Sequence, residues 1–378
     1  MSTHNKNKIL NDPVYGFITI QHELSFDLMD HPFVQRLRRI SQLGLSHVVY
    51  PGAVHNRFHH AIGALHLMQE AIAVLRAKGT QISDKEGEAA CAAILLHDIG
   101  HGPFSHALEH SIVKGVHHED ISALIMSRLN DEMNGALDTA IAIFNDHHPK
   151  RFLHQLVSSQ LDMDRMDYLA RDSFYSGVAE GKIGSERIIK MLAVKDDRLV
   201  VEEKGIYSIE KFLMARRLMY WQVYLHRTVL CAEFMLMHVL KRAKALALSG
   251  TEVFTTPALS IFINESLDRA KFIADPEILN RFCELDDSDI TCALKVWQHH
   301  DDAILSNLSK RIVHRDLFRI ELQSEPFSAA EVEDTIKLVA QAFDLDKADA
   351  SELVINDTIE NSLYSQEGIS IQYKNGST

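Results

Sequence analysis

Apolar residues recur at helical spacing along most of this chain. Phe58, Ile62, Leu65, Met68 and Ile72 fall three or four apart and predict a helix over 57–77. Ser83 and Glu86 form an S-x-x-E capping box, so the next helix starts there. It runs through AACAAILLHD until Gly100, Gly102 and Pro103 break it. Pro32 opens a helix over 32–43 that stops near Gly44. Shorter helices are expected over 104–113, 118–129, 135–145 and 160–172, and a long one over 207–247 that ends before Gly250. The long one is apolar on more than one face (Met214, Leu218, Trp221, Val229, Met235), so it is central or buried between subunits. Residues 257–312 read as further helix. Strand texture is confined to a hairpin over 12–26, a short strand at 197–202, and LFRIEL, ELVIND and ISIQY around one helix at 329–343. The expected fold is mainly α, a helical bundle over 1–312 with a small α+β C-terminal part over 313–378.

Three polar clusters interrupt these apolar helices: HNRFHH at 55–60, HDIGHGPFSH at 97–106 and LDMDRMDYLARD at 161–172. His97 and Asp98 follow the aliphatic run Ile94-Leu95-Leu96, which places them at the core. A carboxylate and an imidazole buried there need partners, and a metal ion satisfies both. Taken alone, such a pair reads as a capping aspartate beside a surface histidine. The two neighbouring clusters change that reading, because His60 and Asp164 supply further ligands. Two imidazoles and two carboxylates leave positions for water and substrate oxygen, the mark of a catalytic rather than a structural site. The mixed His/Asp set, with no thiolate, suits a divalent ion such as Mn, Fe, Ni, Co or Zn and tolerates Mg. Arg57 and Arg165 lie within a few residues of these ligands, where a guanidinium grips phosphate oxygens bidentately.

The three motifs, with PFVQRLRRISQLG, VYPGAVHNRFHHAIG, HHED and RRLMYWQVYLHRTV, resemble the HD-domain dNTP triphosphohydrolase family over 12–318. The resemblance implies an HD-domain helical bundle and puts the family's metal ligands on His60, His97, Asp98 and Asp164. It implies that Arg57, Arg165 and Arg216 surround the phosphates, and that His101, His106 and His118 are pocket histidines. One of these would orient water and another protonate the leaving oxygen, with His106 favoured as the acid. Glu119, beside His118, would orient an imidazole. Gln42 and Asp172 match readers of the sugar 3′-hydroxyl, Tyr168 an aromatic that excludes a 2′-hydroxyl, and Tyr224 and His226 the region of the base. A nucleotide-activated homo-oligomer, dimer or tetramer, is a further implication. Asp30, Gln35 and Arg38 resemble part of the regulatory pocket, but Glu202 and Glu203 stand where more positive charge would be needed.

Composition narrows the alternatives. The net charge of −13 repels a phosphate backbone and argues against nucleic-acid binding. Four scattered cysteines form no CxxC pair and read as reduced thiols. The N-terminus carries no apolar run of signal-peptide length and no stretch has transmembrane length, so a cytoplasmic protein is expected, without membrane contact. The leading expectation is a metal-dependent phosphohydrolase that converts dNTPs to deoxynucleoside and triphosphate. The alternatives are an HD enzyme acting on monophosphates, cyclic nucleotides or alarmones, or a nucleotide-binding regulator with little turnover.

Overall fold

The computed structural model describes residues 8–104, 115–359 and 368–378. Mainly helical, the described chain also carries two small sheets. In the first, β1 (Lys8–Asp12) and β2 (Gly16–Ile20) pair antiparallel, earlier along the chain than the expected 12–26. The Asp12 carboxylate closes the turn by accepting from the Val14 and Tyr15 amides at 2.9 and 3.0 Å. Residues past 22 form α1 (Glu23–Asp30) instead of continuing the hairpin.

The helix expected over 32–43 is shorter. It comprises α2 (Pro32–Gln35) and a tight turn, Arg36–Arg39. It stops because the backbone of residues 40–42 pairs with residues 55–57. The Gln42 amide donates to His55 O at 3.0 Å, and the Arg57 amide to Ile40 O at 2.9 Å. That pairing brings Gln42 beside the HNRFHH cluster.

Helix α3 (Arg57–Ala77) is the centre of the bundle and packs against α4 (Asp84–Leu96) on one side. Residues 90–96 of α4 are all fully buried, as small and aliphatic side chains allow. The capping box at its start is present, with Ser83 and Glu86 exchanging bonds. Helices α5 (His118–Glu132), α6 (Asp138–Phe144) and α7 (Arg151–Val157) follow. Next comes α8 (Met163–Ser176), which also packs on α3. The expected helix over 104–113 falls mostly outside the described residues.

After α9 (Ser185–Met191), β3 (Leu192–Lys195) pairs antiparallel with β4 (Arg198–Glu202). The long helix expected over 207–247 is two helices, α10 (Ile206–Met219) and α11 (Arg227–Leu248), bent by 57°. A π-helical turn at Tyr220–Tyr224 ends the first, and the His226 imidazole caps the second by accepting from the Thr228 amide at 3.2 Å. The wider turn swings Tyr224 inward. No single helix among the described residues is long and apolar enough to cross a membrane.

Five helices follow: α12 (Pro257–Asn264), α13 (Arg269–Ala274), α14 (Pro276–Glu284), α15 (Asp287–Trp297) and α16 (Ala303–His314). Beyond them α17 (Ala329–Phe343) matches expectation, and α18 (Lys347–Glu352) was not foreseen. LFRIEL and ELVIND are not strands. LFRIEL lies against α11, where Cys231 Sγ donates to Phe318 O at 3.1 Å, and no strand among the described residues pairs with it. Of the ISIQY run, β5 (Ile371–Gln372) is a strand, and it joins β4 in parallel.

Candidate metal centre and adjoining cavity

Three elements converge on one point. His60 comes from the first turn of α3, His97 from the C-terminal cap of α4, and Asp164 from the first turn of α8. His60 Nε2 lies 3.3 Å from His97 Nε2 and 3.1 Å from Asp164 Oδ1, and His97 Nε2 lies 3.4 Å from that oxygen. Asp98 adjoins them, with Oδ2 3.8 Å from His60 Nε2 and Oδ1 3.4 Å from His97 Nε2. The outer nitrogens fix the rings. His97 Nδ1 donates to Ile94 O at 2.6 Å, since a carbonyl only accepts, and His60 Nδ1 lies 2.7 Å from Asp167 Oδ2. Both Nε2 lone pairs therefore point at one spot, flanked by carboxylate oxygens. Lone pairs this close repel unless a cation or a proton lies between them.

The protonation equilibria carry the same message. Burial alone would lower the His60 pKa, but hydrogen bonds to Asp164 and Asp167 outweigh it and push it up to about 10. His97 is also raised, Asp98 and neighbouring Asp164 prevailing over burial. Both aspartates sit below the ordinary carboxylate range despite burial, Asp98 through His97, His101 and Arg57, Asp164 through the two metal-side histidines. A divalent cation satisfies the same anionic cage without protons. The donor set thus fits a metal ion, and His60, His97 and Asp164 form one group of atoms within 4.8 Å of one another that can hold it.

A second such group is Asp98, His101 and His118. Asp98 borders both groups, because its Oδ1 is also 3.4 Å from His101 Nε2. The His101 and His118 rings stack at 3.9 Å between centroids. His101 is lowered to about 3 by burial and by the Arg57 charge. Close approach of α5 to the HD turn requires Gly100, since a Cβ there would meet His118 O at 2.2 Å. Ser122 ties the two together, donating to His97 O and accepting from the Gly100 amide, each at 2.9 Å.

From these groups a cavity of about 960 Å³ extends into the protein. Arg57, Arg165 and Arg216 line it together with Asp98 and Asp164 of the candidate centre. Arg57 pairs with Asp98, Arg165 with Asp162, and Arg216 donates to Gln160 Oε1 at 2.9 Å. Further along lie Gln42, Tyr168, Asp172 and Tyr224. Asp172 accepts from the Tyr224 hydroxyl at 2.8 Å on one oxygen and meets His55 Nε2 at 2.7 Å on the other. The Tyr168 and Tyr224 rings meet edge to face at 6.1 Å.

Two expected residues are not brought into this cavity. His226 caps α11 and lies edge-on to Tyr50, because the π turn leaves it outside the lining. Glu119 is exposed, 3.9 Å from His118 Nε2, and does not line the cavity. His106 falls outside the described residues. Sequence reasoning missed three supporting side chains: Asp167, which holds His60; His55, which holds Asp172; and Asp287. The Asp287 carboxylate accepts from the Ser41 and Phe104 amides at 2.8 and 3.1 Å, tying the Gln42 loop to the HD loop. Asp167 and His55 lay inside the polar clusters, so a search for partners of the buried imidazole and carboxylate had a signal for both. Asp287, 246 positions from Ser41, had none.

Residues 57–172 match the HD domain and residues 183–255 the HD associated region. The uncharacterized protein YwfO of Bacillus subtilis is 36% identical over 83% of this chain and 72% of its own length. A phosphohydrolase from Bacteroides thetaiotaomicron superposes with a TM-score of 0.96 at 55% identity, covering 98% of this chain and 93% of that one. The chain belongs to the HD-domain phosphohydrolase family. Among its relatives is the deoxynucleoside triphosphate triphosphohydrolase SAMHD1 homolog of Dictyostelium discoideum, 33% identical over 62% of this chain. That match spans 49% of the Dictyostelium protein.

Proposed function

We propose that this protein hydrolyses dNTPs to the deoxynucleoside and inorganic triphosphate. One observation carries the reading: one cavity is lined by Asp98 and Asp164 of the candidate metal centre, by Arg57, Arg165 and Arg216, and by Gln42, Tyr168, Asp172 and Tyr224, groups suited to a metal-bound α-phosphate, a phosphate tail and a deoxyribose. His60, His97, Asp98 and Asp164 hold the divalent ion, of the Mn, Fe, Co, Ni, Zn or Mg type. Bound there, such an ion supplies Lewis-acid polarisation and a lowered pKa for water.

This chain's own groups do the rest. Arg57, Arg165 and Arg216 neutralise and orient the phosphates. Water adds to the α-phosphorus, the bond to the 5′-oxygen breaks, and that oxygen leaves as the deoxynucleoside hydroxyl once protonated. His101, held neutral by burial and Arg57, is a poor proton source and is suited to positioning water. Protonation of the leaving oxygen falls to His106 or His118, with Glu119 orienting the latter. Gln42 and Asp172 read the 3′-hydroxyl, and Tyr168 packs on the sugar where a 2′-hydroxyl would stand. Tyr224 steadies Asp172 and the base side, and no role is retained for His226. The protein acts as a homo-oligomer, and residues 313–378 form a small C-terminal region.

Hydrolysis in ¹⁸O-labelled water tests the bond cleaved. Label in the triphosphate product supports attack at the α-phosphorus. Label in the deoxynucleoside, or release of single phosphates, overturns it.

A further inference from the structure

The cavity continues past Tyr224 along one face of α11, where Phe234, Met237 and Lys241 follow at helical spacing. C-terminal chain, including Asp357 and Ile359, also lines it. That chain is anchored where it stands. Ala350 and Leu353 are buried, and Asp349 lies 3.9 Å from Arg242 of α11. Arg242 is itself held by Asp302 at 2.6 Å. Asp357 also lies near enough to His238 of α11 to act on its charge.

The chemistry of this end differs from that of the metal end. Phe234, Met237 and Ile359 offer apolar surface to the faces of a flat ring. At the rim Lys241 only donates and Asp357, when ionised, only accepts. A further phosphate would be repelled by Asp357, so the site suits an uncharged heteroaromatic ring with hydrogen-bonding edges.

We propose that this end is the base subsite, with Asp357 and Lys241 reading the base edge; the inference rests on the dNTP reading of the cavity. The C-terminal region is thereby a specificity element. Adenine, cytosine and guanine each carry an exocyclic amino group that donates to a carboxylate, whereas thymine carries carbonyl oxygens on both flanks of its edge. Thymine can donate to Asp357 only through its N3–H, with a carbonyl on either side that repels the carboxylate, so thymine is the disfavoured base.

The test uses the full chain loaded with Mn²⁺, as wild type, Asp357→Ala and Lys241→Ala; both side chains are exposed, so the fold is spared. Values of kcat/KM are measured for dATP, dCTP, dGTP, dTTP and abasic 2-deoxyribose 5-triphosphate. Wild type should turn over dTTP least well, and Asp357→Ala should narrow that gap about tenfold. Lys241→Ala should change the ranking of the bases, and the abasic compound should be unaffected by either change. An unaltered ranking, or an equal fall on all five compounds, overturns the inference. If wild type hydrolyses no dNTP, the dNTP reading fails, and equilibrium binding of the four nucleotides decides the subsite. Base-dependent affinities that level out in Asp357→Ala keep it; base-independent binding, or none, rejects it.

Discussion

His60 Nδ1 and Asp167 Oδ2 meet at 2.7 Å, both side chains fully buried. The pair does not stand alone. Arg171 reaches both Asp167 oxygens at 3.0 Å and Asp12 of the N-terminal hairpin at 2.7 Å. The chain Asp12–Arg171–Asp167–His60 thus links β1, α8 and α3 and aims the His60 lone pair at the metal position. Such partners fix ring orientation and raise ligand basicity. Asp167→Asn is expected to weaken metal binding by about 10- to 100-fold, measured as metal retained on dialysis against graded chelator. Retention equal to wild type would deny Asp167 this role.

Gly63 lies where α3 crosses that chain. A Cβ on it would stand 1.9 Å from Asp167 Oδ1 and 2.1 Å from an Arg171 nitrogen. Gly63→Ala should therefore destabilise the metal-free protein by about 1–3 kcal/mol and lower metal retention at the same time. Thermal unfolding of the metal-free protein, compared with Gly184→Ala, where a Cβ meets nothing within 4 Å and φ is negative, measures the first effect. An unchanged Tm with full metal content would mean that the network yields without cost.

Protons compete with the metal for the same imidazole. The metal-free fold raises the His60 pKa to about 10, above its unfolded value of about 6.5. The stabilisation it gives is fully present below about 6.5 and is lost as pH rises through about 10. Metal takes the neutral ring and displaces the proton. Apparent metal affinity should hence rise across that window, by about tenfold per pH unit for each proton released. Isothermal titration with Mn²⁺ in buffers of different ionisation enthalpy counts the protons. No proton release at pH 7 would contradict a protonated His60 in the metal-free state.

Tyr168 lines the cavity beside Asp164 and Arg165 on α8. If it packs on the sugar, Tyr168→Ala should admit ribonucleotides and lower the dNTP-to-NTP ratio of kcat/KM by about tenfold or more. A fall in both activities at a constant ratio would assign the ring to packing alone.

The bundle was legible because its signals are local. The periodicity over 57–77 and the Ser83 and Glu86 capping box gave helices close to the observed ones. The cluster of His60, His97 and Asp164 was legible because a buried carboxylate beside a buried imidazole is costly without a partner. Three kinds of feature were not. The break at Tyr220–Tyr224 lies within an unbroken apolar pattern, and a wider turn leaves no mark on such a pattern. LFRIEL has the alternation of a strand, but the Phe318 backbone meets α11 side chains instead, Cys231 Sγ and Met235 Sδ, and alternation alone does not supply a partner strand. Contacts between distant segments, such as Asp287 with Ser41, have no local signal at all.

The central claim is that the centre at His60, His97, Asp98 and Asp164 cleaves dNTPs between the sugar and the triphosphate. Product analysis tests it most directly: the metal-reconstituted protein is incubated with each dNTP and NTP, singly and mixed, with Asp98→Ala alongside, and the products are resolved by chromatography. Deoxynucleoside and triphosphate in equal amounts, absent with Asp98→Ala, is the predicted result. Intact dNTPs in every mixture, or release of monophosphate or pyrophosphate instead, would contradict it and turn attention to monophosphates, cyclic nucleotides and alarmones as substrates of the same centre.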